Sequence, residues 1–109
     1  MIKYNDFVKV EIRTGTIVQV KKHEKAIKPA FKLEIDFGSS IGVLKSSAQI
    51  TDFYDPENLM GKKVIAVVNL PDKQIADFKS ECLVLGVPTE NGVSLLSPDH
   101  SVPNGLRIS

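Results

Sequence analysis

The chain has one cysteine, no tryptophan and no long hydrophobic run among its 109 residues. A single cysteine, Cys82, cannot form an intramolecular disulfide, so we expect a domain that folds without cross-links in the reducing cytoplasm. No segment approaches the roughly 20 apolar residues that a membrane helix needs, and the amino end shows no signal-peptide pattern. We therefore predict one soluble domain over residues 1–109, without integral membrane association.

The sequence also has few residues that could form a catalytic or metal site. His23 lies among lysines and His100 lies in a proline-rich tail, so we predict no zinc site. Cys82 is followed by Leu-Val-Leu, which is typical of an inert cysteine in an apolar strand. No glycine-rich phosphate-binding loop is present. We predict that the protein is not an enzyme and uses no cofactor.

Charge is unevenly distributed along the chain, although the net value is only +1. Residues 1–32 hold eight basic and three acidic residues, or +5, whereas the remainder holds six and ten, or −4. Most of the excess positive charge of this segment comes from five lysines: Lys21, Lys22, Lys25, Lys28 and Lys32. This lysine cluster is either a phosphate-binding patch with strong salt dependence or a solvated loop. Glu24 and the near-neutral total favour the loop.

Alternating apolar residues predict β-strands in the first half of the chain. Residues 8–12 and 31–37 alternate apolar and charged side chains, so each segment would present one apolar face to a core. Gly15 shifts the apolar phase of the first run, which predicts a β-bulge there. Residues 38–40 are expected to form a hairpin turn into a third strand at 41–44.

The middle of the chain carries helix signals. Residues 48–54 are expected to form a short helical turn, and Asp55 before Pro56 predicts a helix that Gly61 ends, since proline is favoured at the first helical position. Asp55 also has acidic neighbours at positions 52 and 57. We interpret these carboxylates as helix-end charges rather than as ligands of a hard cation.

Further strands complete the predicted fold. Residues 64–68 form a β-branched apolar run that is typical of a buried strand, and residues 83–85 with 93–96 are expected to form the last hairpin. Five short strands, a bulged first strand and helical turns between the third and fourth strands are typical of an OB-fold barrel. The predicted class is all-β with short helices, a five-stranded OB-fold barrel with amino- and carboxy-terminal extensions. An SH3-like barrel or a small sandwich is the alternative.

Separated motifs in this chain resemble one family. They are EIRTGTIV at 11–18, SSAQIT at 46–51, VIAVVNLP at 64–71, KQIADFKSECLVLG at 73–86 and LLSPDHSVPNG at 95–105. Their residues and their order along the chain resemble those of the tRNA-binding-domain family, in particular its CsaA export-chaperone type. The resemblance covers essentially the whole chain. It implies an OB-fold homodimer related to the carboxy-terminal tRNA-binding modules of some methionyl-tRNA synthetases.

The resemblance also implies a binding surface, either for tRNA or for unfolded precursor polypeptides. The residues carried over by position are Arg13, Ser46, Ser47, Gln49, Asn69, Lys73, Lys79, Ser80 and Glu81. Ser47 and Asn69 have an alternative role, because short polar side chains often satisfy backbone groups at strand ends.

One departure from the family pattern bears on the ligand. The family commonly has adjacent basic residues and then a glycine after the asparagine and proline of the third motif, VIAVVNLP. Here that segment contains Asp72, Lys73 and, later, Asp77. Because two carboxylates would repel a phosphate backbone, we expect weaker RNA affinity than in a typical member. This favours a CsaA-like chaperone for unfolded precursors over a stand-alone tRNA-binding module or a synthetase-associated adaptor.

The amino terminus predicts self-association. Tyr4, Phe7 and Val8 form an apolar patch, and a small barrel leaves sheet edges that need covering. A two-fold pairing would cover both features, so we expect a homodimer.

Overall fold

Nine β-strands and two short helices make up the fold in a computed structural model that describes residues 1–109. The helices are α1 (Tyr4–Val8) and α2 (Pro56–Leu59), and neither is long and apolar enough to cross a membrane. The strands are β1 (Ile12–Lys22), β2 (Phe31–Asp36), β3 (Val43–Ala48), β4 (Lys63–Val67), β5 (Lys73–Ile75), β6 (Phe78–Ser80), β7 (Leu83–Val84), β8 (Gly86–Pro88) and β9 (Val93–Leu95).

Five of the strands form one antiparallel sheet in the order β3-β2-β1-β4-β7. The remaining strands form two separate hairpins, β5–β6 and β8–β9. The sheet curls until its two edges nearly meet. Just before β7, the N–H groups of Glu81 and Cys82 donate to the Lys45 carbonyl in β3 at 2.7 and 3.3 Å. The result is a nearly closed five-stranded barrel with short helices. The predicted OB-fold class is confirmed.

The barrel interior holds the apolar faces of its strands. In β2, Leu33 and Ile35 are fully buried while Glu34 between them is exposed, so the alternation predicted there is confirmed. Ile17 of β1 and Val64 of β4 pack into the same core. Each such side chain contributes about 1.5–3 kcal/mol to stability by leaving water.

The carboxy-terminal segment lies along β1. The Thr14 N–H donates to the Leu106 carbonyl at 3.0 Å, and the Leu106 N–H donates to the Thr14 hydroxyl oxygen, also at 3.0 Å. Farther along, the Ile108 N–H donates to the Ile12 carbonyl at 2.9 Å. The first half of β1 is therefore bordered by β4 on one edge and by residues 105–108 on the other.

The prediction of a strand over residues 8–12 is wrong. Residues 4–8 form α1, and β1 begins only at Ile12. The Lys3 N–H donates to the Asp6 carboxylate at 2.9 Å, which caps the first turn of this helix. Tyr4, Phe7 and Val8 are spaced by three and four residues, so their pattern suits one face of a helix better than one face of a strand.

The predicted bulge lies in β1 but not at Gly15. The register between β1 and β2 shifts between Ile17 and Gln19. Gly15 has a different role, because a Cβ added to it would lie 2.7 Å from the Ile35 side chain and 2.8 Å from the Phe37 ring. The glycine therefore permits close packing of the barrel wall at this point.

The helix predicted after Asp55 is confirmed. The Asn58 N–H donates to the Asp55 carboxylate at 2.9 Å, and Pro56 occupies the first helical position. Gly61 follows the helix with φ +79°, a conformation that suits glycine. The helical turn predicted at residues 48–54 is wrong, because β3 continues through Ala48, which pairs with Phe31, and only a non-helical turn follows.

The last hairpin differs from the prediction by one strand. Residues 86–88 pair with 93–95, whereas Leu83 and Val84 pair with β4 and complete the main sheet. The turn near residue 90 is as predicted, since the Thr89 N–H donates to the Gly92 carbonyl at 2.8 Å. The β5–β6 hairpin was not predicted from the sequence, because each of its strands is only three residues long.

Cys82 is a core residue and yields the first testable prediction. It is 6% exposed, and burial raises the pKa of its thiol to about 12. We expect alkylating reagents to label the folded protein slowly at pH 8, and Cys82→Ala to lower the free energy of unfolding by about 1–2 kcal/mol without altering ligand binding.

The same thiol gives stability a pH dependence. Its pKa is higher in the folded protein than the ordinary value of 9.0, so its contribution is complete below pH 9 and is lost as the pH rises towards 12. Denaturant titrations of wild type and Cys82→Ala across this range measure the difference. Rapid labelling of the native protein would contradict the burial of the thiol.

Candidate binding groove

A groove of about 430 Å³ runs along the end of β3 and under the β5–β6 hairpin. We call it the main groove. Six of the predicted site residues line it: Ser46, Ser47, Gln49, Lys73, Ser80 and Glu81. Its apolar wall is formed by Ile50, Leu70, Ile75, Leu83, Val84 and Val93. The structure thus brings together residues from three of the sequence motifs.

A second depression of about 450 Å³ adjoins the main groove, and we call it the side groove. It shares Ser47, Gln49, Lys73 and Ile75 with the main groove, so the two form one continuous surface. The side groove extends to the loop after β1, where Ile27 is fully exposed. An extended ligand could therefore contact both grooves at once.

Several polar residues of the main groove close the barrel. The Ser46 hydroxyl donates to the Cys82 carbonyl at 3.0 Å, and the Ser80 hydroxyl accepts from the Ser47 N–H at 3.1 Å. The Glu81 carboxylate accepts from the Lys45 N–H at 2.9 Å. These side chains tie the edge of β3 to the segment that enters β7.

Gln49 and Lys73 differ from these residues. Both side chains are exposed, and neither makes a hydrogen bond or an ion pair within the protein. They are the polar side chains of the main groove that are free to contact a ligand.

Three of the predicted site residues lie outside both grooves, and Arg13 is one of them. Its guanidinium donates to the Glu11 carboxylate at 2.7 and 3.0 Å and to the Gly105 carbonyl at 2.9 Å. These bonds fasten the carboxy-terminal segment to β1. Arg13 therefore has a structural role in this fold.

Asn69 and Lys79 are the other two. The Asn69 side chain accepts from the Glu11 N–H at 2.9 Å and donates to the Lys9 carbonyl at 2.7 Å, so it satisfies backbone groups that follow α1. This is the alternative role considered for Asn69. Lys79 is exposed on β6, opposite Gln74.

His23 lies in this region but was not predicted as a site residue. Its side chain is completely buried, with Nδ1 2.9 Å from the Ser47 hydroxyl oxygen and Nε2 3.5 Å from the Asp77 carboxylate. The ring also packs edge-on against Phe78, with the centroids 5.6 Å apart. His23 thus connects the wall of the main groove to the turn of the β5–β6 hairpin. Nothing in the local sequence signals this, because the contacts join residues far apart in the chain.

Asp77 lies at the centre of a charge cluster. Its carboxylate is 3.7 Å from the ammonium nitrogens of both Lys25 and Lys32. Desolvation raises the pKa of Asp77, but the charge of Lys32, a backbone hydrogen bond, the charge of Lys25 and the His23 side chain outweigh it and hold the pKa below its ordinary value. The carboxylate is therefore ionised and has internal cationic partners, so it does not simply repel a phosphate as the sequence suggested.

These ion pairs divide the lysine cluster. Lys25 and Lys32 pair with Asp77, and the Lys32 ammonium also lies 5.4 Å from the centre of the Phe78 ring. Lys21, Lys22 and Lys28 are exposed and make no ion pair. Only part of the cluster is thus available to an anionic partner.

Comparison with known proteins places these features in a family. Residues 12–107 match the family model described as a putative tRNA binding domain. The crystal structure of the CsaA chaperone protein from Picrophilus torridus has 56% sequence identity and a TM-score of 0.94, over 100% of both chains. That of chaperone CsaA from Bacillus anthracis has 48% identity and a TM-score of 0.93, over 100% of this chain and 99% of the other.

A third relative is an enzyme of which this chain matches only a part. The methionine–tRNA ligase of Pyrococcus horikoshii is 34% identical over 107 residues, which are 98% of this chain and 14% of the ligase. The chain therefore spans about one seventh of that ligase, whereas it matches the two chaperone structures over essentially their full length. The chain belongs to the tRNA-binding-domain family, and within that family it is of the CsaA type.

Proposed function

We propose that this protein is a CsaA-like protein-export chaperone that binds unfolded precursor polypeptides in the cytoplasm. In this proposal, residues 1–109 act as one tRNA-binding-domain-like OB-fold unit, and two copies form a homodimer. The observation that carries the proposal is the apolar wall of the main groove. Leu70 and Leu83 in this wall are 47% and 50% exposed, so they are available to a ligand.

The composition of the main groove suits an unfolded segment. Apolar contacts are not directional, so they accept many side chains without strict sequence specificity. Lys73 and Glu81 are the charged residues that line the groove, and Glu81 already accepts a backbone hydrogen bond. An anionic polymer would find a single lysine here. A polypeptide with exposed apolar side chains would find a matching surface.

The test is a charge placed in the apolar wall. Leu83→Glu is expected to weaken binding of a permanently unfolded precursor polypeptide about tenfold or more. Leu83 is 50% exposed, so a ligand can bury about half of the 1.5–3 kcal/mol of a whole leucine, and the new carboxylate adds the cost of desolvating a charge. A factor of ten in affinity corresponds to about 1.4 kcal/mol. Fluorescence anisotropy of a labelled polypeptide measures the affinity.

Leu96→Glu is the matched control, because Leu96 is also exposed, at 39%, and lines neither groove. It should leave the affinity unchanged, and circular dichroism should show that both variants fold. Equal binding by the two variants, or no binding by the wild type, would refute the proposed use of the groove.

The dimer is tested separately. Around α1, Ile2 and Tyr4 are 72% and 73% exposed, and Val8 is also exposed. We expect light scattering to show a dimer at micromolar concentration. Tyr4→Glu combined with Val8→Glu should shift it towards monomer, while Val43→Glu, at an exposed valine at the start of β3, should not. A wild-type protein that is entirely monomeric would contradict the prediction.

Binding of tRNA is the second candidate, because the family model is that of a tRNA-binding domain and three lysines of the cluster are exposed and unpaired. In this alternative the exposed lysines contact phosphates while the barrel surface recognises RNA shape. A synthetase-associated adaptor would use the same contacts. Salt dependence separates this candidate from the chaperone.

A further inference from the structure

The edge of β3 is closed along its first part by groups of the protein itself. β3 is the outermost strand on one side of the five-stranded sheet. In the middle of β3, the backbone N–H and carbonyl of Lys45 face outward from the sheet. The N–H donates to the Glu81 carboxylate at 2.9 Å, and the carbonyl accepts from the Glu81 N–H at 2.7 Å. No further strand can pair at Lys45 while these bonds are in place.

The edge is only partly closed at the end of β3, where β6 lies beside it. Two residues after Lys45, the Ser47 N–H donates to the Ser80 hydroxyl at 3.1 Å, so a side chain takes the place of a neighbouring strand. The N–H and C=O of one residue point to the same side of a strand, and the Ser47 carbonyl accepts no hydrogen bond on that side.

Gln49 extends the unpaired part of this edge. It comes directly after β3 ends at Ala48, and neither its N–H nor its C=O has a hydrogen-bond partner in the protein. Ser47 and Gln49 both line the main groove and the side groove. Three unpaired backbone groups therefore lie where the two grooves meet.

We propose that the groove binds its ligand as an added β-strand along Ser47 and Gln49, an inference that rests on the proposed function. An antiparallel ligand strand would exchange two hydrogen bonds with Gln49 and donate a third to the Ser47 carbonyl. Its apolar side chains would contact Leu70 and Leu83 in the wall of the main groove. The ligand class is an extended polypeptide main chain.

This mode of binding accounts for broad acceptance of clients. Every polypeptide carries the same backbone groups, so hydrogen bonds to them do not select a sequence. A folded protein has already paired most of these groups internally, and it cannot offer them to Gln49. The groove would thereby distinguish unfolded from folded chains by main-chain availability as well as by apolar exposure.

The test uses three forms of one synthetic peptide with alternating apolar and serine residues. The alternation fixes which face meets the apolar wall and therefore which edge meets β3. One form is unmodified, the second is N-methylated at every apolar residue, and the third is N-methylated at every serine. The two methylated forms are matched controls for each other, since each blocks the N–H groups of one edge.

We expect one methylated form to bind at least tenfold more weakly than the unmodified peptide and the other to bind within about threefold of it. Binding of the unmodified peptide should also slow hydrogen exchange of the Gln49 backbone amide at least tenfold, as measured by NMR. Equal binding of the two methylated forms, or unchanged Gln49 exchange in the complex, would overturn strand addition alone. Failure of the unmodified peptide to bind would instead count against the proposed function.

Discussion

Gly105→Ala is expected to lower the free energy of unfolding by about 2–4 kcal/mol. Gly105 has φ +83°, and a Cβ there would collide with the Phe37 backbone carbonyl. An L-residue in this conformation costs about 1 kcal/mol, and a clash with fixed backbone adds about 1–3 kcal/mol. The melting temperature of a domain of this size should fall by about 8 °C or more, at about 4–8 °C per kcal/mol.

Gly42→Ala is the matched control for this prediction. Gly42 has nearly the same conformation, φ +85°, but a Cβ there would have nothing within 4 Å. Its loss should be limited to about 1 kcal/mol, the cost of the conformation itself. Thermal and urea denaturation of both variants measure the difference. Similar losses in both would show that the contact between Gly105 and Phe37 does not constrain the barrel.

Asp72→Arg is expected to strengthen tRNA binding about tenfold at 50 mM salt and to steepen its salt dependence by about one phosphate contact. Asp72 is exposed and has no ion pair, so its replacement converts a repulsive charge into an attractive one. Binding of the unfolded polypeptide should not change, since Asp72 lines neither groove.

Asp77→Gly is the informative comparison, because it also removes a negative charge. It releases Lys25 and Lys32 but also removes the carboxylate that faces His23. We expect it to loosen the β5–β6 hairpin and to weaken polypeptide binding, which the sequence alone did not predict. Polypeptide affinity equal to that of Asp72→Arg would show that the charge cluster does not position the hairpin.

The salt dependence of binding affinity distinguishes the two candidate functions of the wild-type protein. Apolar burial changes little between 50 and 200 mM salt, whereas contacts to three or four phosphates should lower affinity about tenfold or more. Titrations of the unfolded polypeptide and of tRNA at both concentrations should therefore differ in slope. If the wild type binds tRNA tightly with a steep slope and ignores the polypeptide, the tRNA-binding module replaces the chaperone.

Local patterns predicted the parts of the fold that depend on neighbours in sequence. The alternation of β2 and the Asp55 cap of α2 are visible in single segments, and the structure contains both. The strand predicted over residues 8–12 failed for a local reason as well. Tyr4, Phe7 and Val8 also fit a helical period, and in the structure the Lys3 N–H donates to the Asp6 carboxylate and caps this helix.

The binding groove could be predicted only in part. Motif positions identified Ser46, Gln49 and their neighbours, but they could not show that Arg13 and Asn69 bond to distant backbone groups instead. The burial of His23 could not be predicted from the sequence either. Its partners Ser47 and Asp77 come from other parts of the chain, and no periodicity in sequence records such contacts.

The position of the carboxy-terminal segment beside β1 has a consequence for biosynthesis. Leu106 bonds to Thr14, which is 92 residues earlier in the chain. At about 5–20 residues per second, translation leaves the first half of β1 without its neighbour on that edge for roughly 5–20 s. During this interval the nascent domain presents an unpaired strand to other chains. Closure of a contact over this separation also favours slow folding, on the scale of milliseconds to seconds once synthesis is complete.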